Sequence, residues 1–138
     1  MKFSYLKIPT NDPKRKWIAR PIIQIALTGP HKSVIVDALI DSGADKCLFN
    51  SELSKEIGLI LENGEPEYFS GIEGGKIKSF VHKIQLQILG LDKKVEVSAG
   101  FIEDLKVSAI LGQEGFFDAF KIKFEKDHNC IEISLSKN

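Results

Sequence analysis

From Arg20 onward the chain consists of short segments in which apolar and polar residues alternate. Ile23, Ile25 and Leu27 are separated by Gln24 and Ala26. His82, Ile84, Leu86 and Ile88 share one face of the 76–89 segment, and Val95, Val97, Ala99 and Phe101 alternate again. A period of two sends successive side chains to opposite faces, so each segment predicts a β-strand. Residues 32–41 differ. Val34, Ile35, Val36, Ala38, Leu39 and Ile40 form an almost continuous apolar run, which predicts a buried strand. A second short run, VSAIL at 107–111, stops at Gly112. Ile122 and Phe124, then Ile131, Ile133 and Leu135, predict a terminal hairpin around Asp127-His128-Asn129.

Helical signals are brief. Asn50-Ser51 can cap a helix over 52–58, where Leu53 and Ile57 share a face and Gly58 ends it. A second short helix is expected around 114–120. Many short strands and little helix predict an all-β barrel or sandwich. An apolar strand, a glycine and a short helix occur at 34–58 and again at 107–120, a faint internal repeat. Residues 1–16, punctuated by Pro9 and Pro13, read as an N-terminal extension. Its Phe3, Tyr5, Leu6 and Ile8 are candidates for an edge strand. Residues 17–138 read as one domain, and 138 residues suffice for a sizeable core.

Composition narrows the function classes. With 19 basic and 19 acidic side chains and only two arginines, Arg15 and Arg20, nucleic-acid binding is not expected. The cluster Lys14-Arg15-Lys16 reads as a solvated arm. No apolar stretch approaches the roughly 20 residues needed to span a bilayer, so no membrane partner is expected. The N-terminus lacks the apolar core of a secretory signal, and a cytoplasmic protein is expected. Cys47 and Cys130 lie in apolar contexts and read as buried free thiols rather than a disulfide framework. His128 and Cys130 have no second ligand pair at zinc spacing, so no metal or other cofactor is expected.

Candidate chemistry centres on Asp41. Asp41-Ser42-Gly43 follows directly on the apolar run, placing a carboxylate where a strand opens into a tight turn. The same triplet is also an ordinary surface-turn sequence. The segment Gly71 to Gly75 is not a phosphate loop, because no G-K-[ST] follows. His82, on an apolar face, reads as a structural histidine.

Four segments, in order, resemble the retropepsin-like aspartic proteases, the class of the retroviral proteases. KWIARPIIQIAL is similar to their opening strand, and ALIDSGAD to the catalytic D-[ST]-G-A motif. FSGIEGGKIKSF at 69–80 is similar to the glycine-rich flap, and AILG at 109–112 to the apolar-apolar-Gly motif behind the catalytic loop. The resemblance covers about residues 17–135. It implies a closed acid-protease barrel with one or two short helices, acting as a homodimer on an extended peptide or protein. Asp41, one from each subunit, would activate a water, with Ser42 and Gly43 shaping the catalytic loop. Ala44, Asp45, Gly71, Ile72, Gly74, Gly75 and Ile110 would line the substrate cleft. Arg20, Ile131 and Ile133 would lie at the dimer interface, Arg20 reaching Asp45 of the second chain.

The chain departs from the family at Gln113-Glu114, where retroviral proteases place an Arg that braces the counterpart of Asp45. That departure keeps open a catalytically silent retropepsin-like module that binds or dimerises. A small nucleic-acid-binding barrel is a further alternative, opposed by the neutral charge.

Overall fold

The computed structural model describes residues 1–70 and 74–137. Among them run twelve strands: β1 (Lys2–Ser4), β2 (Leu6–Pro9), β3 (Trp17–Arg20), β4 (Ile22–Thr28), β5 (Ser33–Ile40), β6 (Leu48–Asn50), β7 (Glu65–Ser70), β8 (Lys76–Ile88), β9 (Lys94–Ile102), β10 (Ala109–Leu111), β11 (Phe120–Glu125) and β12 (Cys130–Leu135). Two short helices, α1 (Glu52–Glu56) and α2 (Phe116–Ala119), complete the secondary structure with two 3-10 turns. The chain is mostly β, as the alternation predicts.

The main sheet has the strand order β4-β5-β10-β6-β9-β8-β7, and β4 also pairs with β8. Its inward faces carry the alternating residues. Ile23, Ile25 and Leu27 of β4, Ile84, Leu86 and Ile88 of β8, and Val97, Ala99 and Phe101 of β9 are all buried. The rings of Phe49 and Phe101 stack at 5.6 Å, and the ring of Phe116 lies 5.3 Å from that of Phe120. Aromatic pairs at such separations add to the area that they bury.

β5 departs from its expectation. Val36, Ala38 and Ile40 are buried, but Ile35 is 62% exposed and Asp37 is exposed. The run 34–40 thus buries one face, because β5 lies in a sheet whose other face is open at that point.

Its C-terminal half runs parallel to β10, with Ala38, Leu39 and Ile40 opposite Ala109, Ile110 and Leu111. β10 pairs on its other side with β6. The two apolar segments of the faint repeat therefore lie side by side, each followed by a turn and a short helix.

β12 lies between β1 and β11 in a second, three-stranded sheet. The hairpin predicted around 127–129 is present, and Asn129 takes the left-handed backbone that closes it, at φ 50°. Ile131 and Ile133 are fully buried in the chain's own core, and both edges of β12 are occupied. Expected at an interface between chains, they instead hold this sheet to the core.

Residues 1–16 are likewise tied to the body. β1 pairs with β12, Tyr5 is buried, and the terminal ammonium donates to the Ile133 carbonyl at 2.8 Å. β2 pairs with β3 in a separate ribbon, so the boundary drawn between residues 16 and 17 falls between two paired strands.

Candidate active site

The loop carrying Asp41 leaves the end of β5 and is held from two directions. The Asp41 N–H donates to the Leu111 carbonyl at 2.9 Å, which continues the β5–β10 ladder into the loop. The Gly43 N–H donates to Asp41 Oδ1 at 2.9 Å, and the Ala44 N–H donates to the Asp41 carbonyl at 3.2 Å. The half-buried carboxylate is thus oriented by its own loop before any substrate arrives. A charge-assisted bond of this kind is stronger than a neutral one.

A second loop, at Gly112–Glu114, runs directly behind. The N–H groups of Gln113 and Glu114 donate to the carbonyls of Ala44 and Asp45, each at 2.8 Å. Gln113 Nε2 donates to the Ser42 carbonyl, also at 2.8 Å. This side chain stands where the resemblance expects an arginine, and it braces the Asp41 loop through the backbone instead of through Asp45. Gly112 allows the close approach: a Cβ there would lie 2.3 Å from the Lys46 carbonyl oxygen. Real Cβ atoms do not come so near, and backbone cannot swing aside as a side chain can.

The hairpin β7–β8 faces this loop. Ala44, Asp45, Lys46 and Leu48 share a cavity of about 240 Å³ with Glu67, Phe69 and Ser79 of the hairpin. A second cavity, about 880 Å³, is lined by Leu39, Leu48, Phe69, Gly75, Ile77 and Ile110 among others. Leu48 and Phe69 line both, so the two cavities are neighbouring parts of one cleft. The strand ends of β5 and β10 supply its floor. Of the residues expected to bind substrate, Ala44 and Asp45 line the smaller space, and Ile110 and Gly75 the larger. Gly74 lies beside Gly75, and Gly71 and Ile72 lie outside the described residues.

Sequence reasoning missed Lys46, Leu48 and Phe69 as lining residues and the bond by which Gln113 braces the loop. Phe69 shares a face of β7 with Glu67, a period-two signal that the flanking Pro66 obscured. The others act through partners distant in sequence. Lys46 Nζ lies 2.5 Å from Glu67 Oε1, and this hydrogen bond raises the lysine pKa.

Other candidate chemistry lies elsewhere. Cys47 is buried with its thiol towards the Glu114 carbonyl at 3.7 Å, and burial pushes its pKa up. It stays a thiol, whereas nucleophilic catalysis needs the thiolate. His82 lies 2.9 Å from the Leu61 carbonyl through Nε2 and meets Phe101 edge-on, which suits the structural histidine expected there. Arg20 is exposed, with no ion-pair partner among the described residues.

This arrangement of strands defines the retropepsin-like fold. A retropepsin-like aspartic protease from Rickettsia conorii superposes over 95% of this chain and 88% of its own, with TM-score 0.65 and 12% identity. The retroviral protease-like domain of Ddi1 from Leishmania major covers 82% of this chain and 88% of its own, with TM-score 0.57 and 19% identity. No protein-family model matches the chain, and no curated protein does. At these identities the likeness is one of fold, and a fold hosts many functions.

Proposed function

We propose that the chain is an aspartic endopeptidase that works as a homodimer, each subunit giving one Asp41. Peptide hydrolysis through a bound water needs a general base for the water and a general acid for the carbonyl oxygen and then the leaving amine. Two carboxylates in contact do not both ionise readily, so they hold one proton between them and can fill both roles. The ionised Asp41 takes a proton from water as its oxygen attacks the scissile carbonyl carbon. The protonated Asp41 gives its proton to the carbonyl oxygen. Collapse of the tetrahedral adduct breaks the C–N bond: the nitrogen takes the proton that the first Asp41 drew from water, and the second Asp41 recovers a proton from a hydroxyl of the adduct.

The sequence holds one D-S-G motif, so a pair requires two chains on a two-fold axis. The observation that carries this reading is the loop itself. Asp41 is oriented by Gly43 N–H and anchored to Leu111, in a loop whose Ala44 and Asp45 line a cleft bounded by β7–β8. An extended peptide fits such a cleft, its backbone pairing with strand edges and its side chains entering the two cavities. By the family resemblance, Ser42 would bond the partner's backbone, and the exposed Arg20 would reach the partner's Asp45. Gly74 and Gly75, at the end of the hairpin, suit a flap that opens for substrate.

Gln113 and Glu114 in place of the family's arginine favour a second reading, a binding module without activity. Incubation with a diverse peptide library over pH 3–8 separates the two, wild type beside Asp41→Asn. Cleavage by wild type that disappears in the variant supports the protease. Binding without cleavage by both supports the silent module, and equal cleavage by both removes Asp41 from the mechanism.

A further inference from the structure

The β2–β3 ribbon has a different character from the rest of the molecule. Residues 1–20 carry six of the 19 basic side chains, Lys2, Lys7, Lys14, Arg15, Lys16 and Arg20, and one of the 19 acidic ones, Asp12. Their formal charge is +5, which leaves −5 on residues 21–138 of a chain that is neutral as a whole. The charge is therefore segregated.

The tip of the ribbon is ordered by its own backbone. The Thr10 N–H donates to the Lys16 carbonyl at 3.0 Å, and the Arg15 N–H to the Asp12 carbonyl at 3.1 Å. The Asp12 carboxylate accepts from the Lys14 N–H at 2.9 Å, so the only acid of the ribbon is engaged in shaping the turn. Lys14, Arg15 and Lys16 are exposed and form no ion pair among the described residues. Next to them stands Trp17, the only tryptophan of the chain, opposite Pro9 and 54% exposed. Among the described residues, neither strand of the ribbon pairs with another sheet.

We propose that this tip docks on an anionic phospholipid surface. Three clustered cations answer the charge of the headgroups, and each is worth about 1 kcal/mol near such a surface. Tryptophan prefers the boundary between headgroups and acyl chains, where its ring is buried and its N–H stays wet. The −5 body is repelled by the same surface, so the field of the molecule turns the ribbon towards it. A span is not needed for this contact. Lys14-Arg15-Lys16, read from sequence as a solvated arm, belongs instead to a preformed element that loses little freedom on docking. Trp17 lies three residues along β3 from Arg20, about 10 Å, which leaves the Arg20 end of the ribbon free for the dimer contact proposed above.

Trp17 is itself the reporter, since no other indole contributes to the emission. Intact protein is titrated with vesicles of phosphatidylcholine alone and with 30% phosphatidylserine, at low and high salt. We expect a blue shift and co-sedimentation with the anionic vesicles only, weakened by salt. Replacing Lys14, Arg15 and Lys16 together by Gln should lower the affinity on the order of 100-fold with Tm and dimer content unchanged. Trp17→Ser should weaken co-sedimentation while the salt dependence persists. Absence of any shift with anionic vesicles at low salt overturns the proposal. Equal binding to neutral vesicles overturns the electrostatic basis. Fluorescence quenching by single-stranded DNA without vesicle binding assigns the surface to nucleic acid and overturns it too. A triple variant that loses its dimer and shows no vesicle effect assigns the tip to a second copy, with the same consequence.

Discussion

Lys46 and Glu67 join the loop that carries Asp41 to the first strand of the hairpin that faces it, through an Nζ–Oε1 contact of 2.5 Å. The pair crosses the smaller cavity, so it fixes the distance between floor and hairpin on that side. Both side chains are about one-third exposed, at 32% and 39%. Exposed pairs of this kind contribute roughly 0.2–1 kcal/mol. Lys46→Met should therefore lower Tm by no more than about 5 °C, while changing kcat/KM and peptide selectivity more than that loss of stability accounts for. Parallel melting and cleavage assays check this. The pair also predicts an alkaline effect. The pKa of Lys46 is raised in the folded chain above the ordinary 10.5, first by its hydrogen bond to Glu67. The folded state thus binds that proton more tightly than the unfolded state. The contribution is complete below pH 10.5 and is lost as pH rises through the raised value. Wild type should lose its Tm advantage over Lys46→Met in that window.

Gly112 is the tightest point between the two loops. A methyl group there meets the Lys46 carbonyl oxygen at 2.3 Å and that of Ala44 at 2.7 Å. Both are backbone atoms of the Asp41 loop, so relief requires moving Asp41's own segment. Gly112→Ala should cost about 1–3 kcal/mol or more of stability and abolish cleavage before it abolishes folding. Denaturant unfolding beside a peptide assay tests it. A variant with wild-type stability would mean that the loops separate freely.

Gln113 replaces the expected arginine and bonds the Ser42 carbonyl. Gln113→Ala removes an exposed neutral hydrogen bond, worth at most about 0.5–1.5 kcal/mol. Because that bond holds the residue next to Asp41, the loss should fall on kcat more than on KM. An unchanged kcat would make Gln113 a structural brace only.

What the residue pattern revealed and what it hid follow from the range of the interactions. Strands β4, β8 and β9 were legible because period-two alternation is local and each buries one face. The helix at α1 was legible through Leu53 and Ile57 and the turn at Gly58. The loop around Asp41 was legible through the break from an apolar run into Ser42-Gly43. Placement of β10 between β5 and β6 was not, since three residues carry no address for their neighbours. Nor was the core role of Ile131 and Ile133. An apolar alternation says that a face is covered, but not whether the cover is the same chain or another. The Lys46–Glu67 contact and the Gln113 brace join segments that only the folded sheet brings together.

Gly74 and Gly75 separate two effects of glycine at the hairpin end. Gly74 has φ +82°, whereas Gly75 does not have a positive φ, and an added Cβ at either meets nothing within 4 Å among the described residues. Gly74→Ala should cost about 1–2 kcal/mol of backbone strain. Gly75→Ala should be neutral or stabilising by about 0.4–1 kcal/mol, through the unfolded chain. If the hairpin must open for substrate, both should lower kcat/KM, the second without any loss of Tm. Unchanged turnover in Gly75→Ala would show that the freedom of this position is not used.

The final prediction concerns the number of chains in one active site. If each site takes Asp41 from two subunits, a chain carrying Asp41→Asn inactivates every dimer that it enters. Gly43 N–H can still donate to the Asn side-chain oxygen, so the variant should fold and exchange subunits like wild type. Equal amounts of the two chains, unfolded and refolded together, then form wild-type, mixed and variant dimers in statistical proportion. The remaining activity should be about a quarter of that of the same total amount of wild type, since only dimers with two intact carboxylates work. A site complete within one chain predicts about half. Dilution gives an independent check: specific activity should fall once the concentration drops below the dimer dissociation constant. Half the activity in the mixture, together with constant activity per chain in a demonstrably monomeric sample, would overturn the shared site.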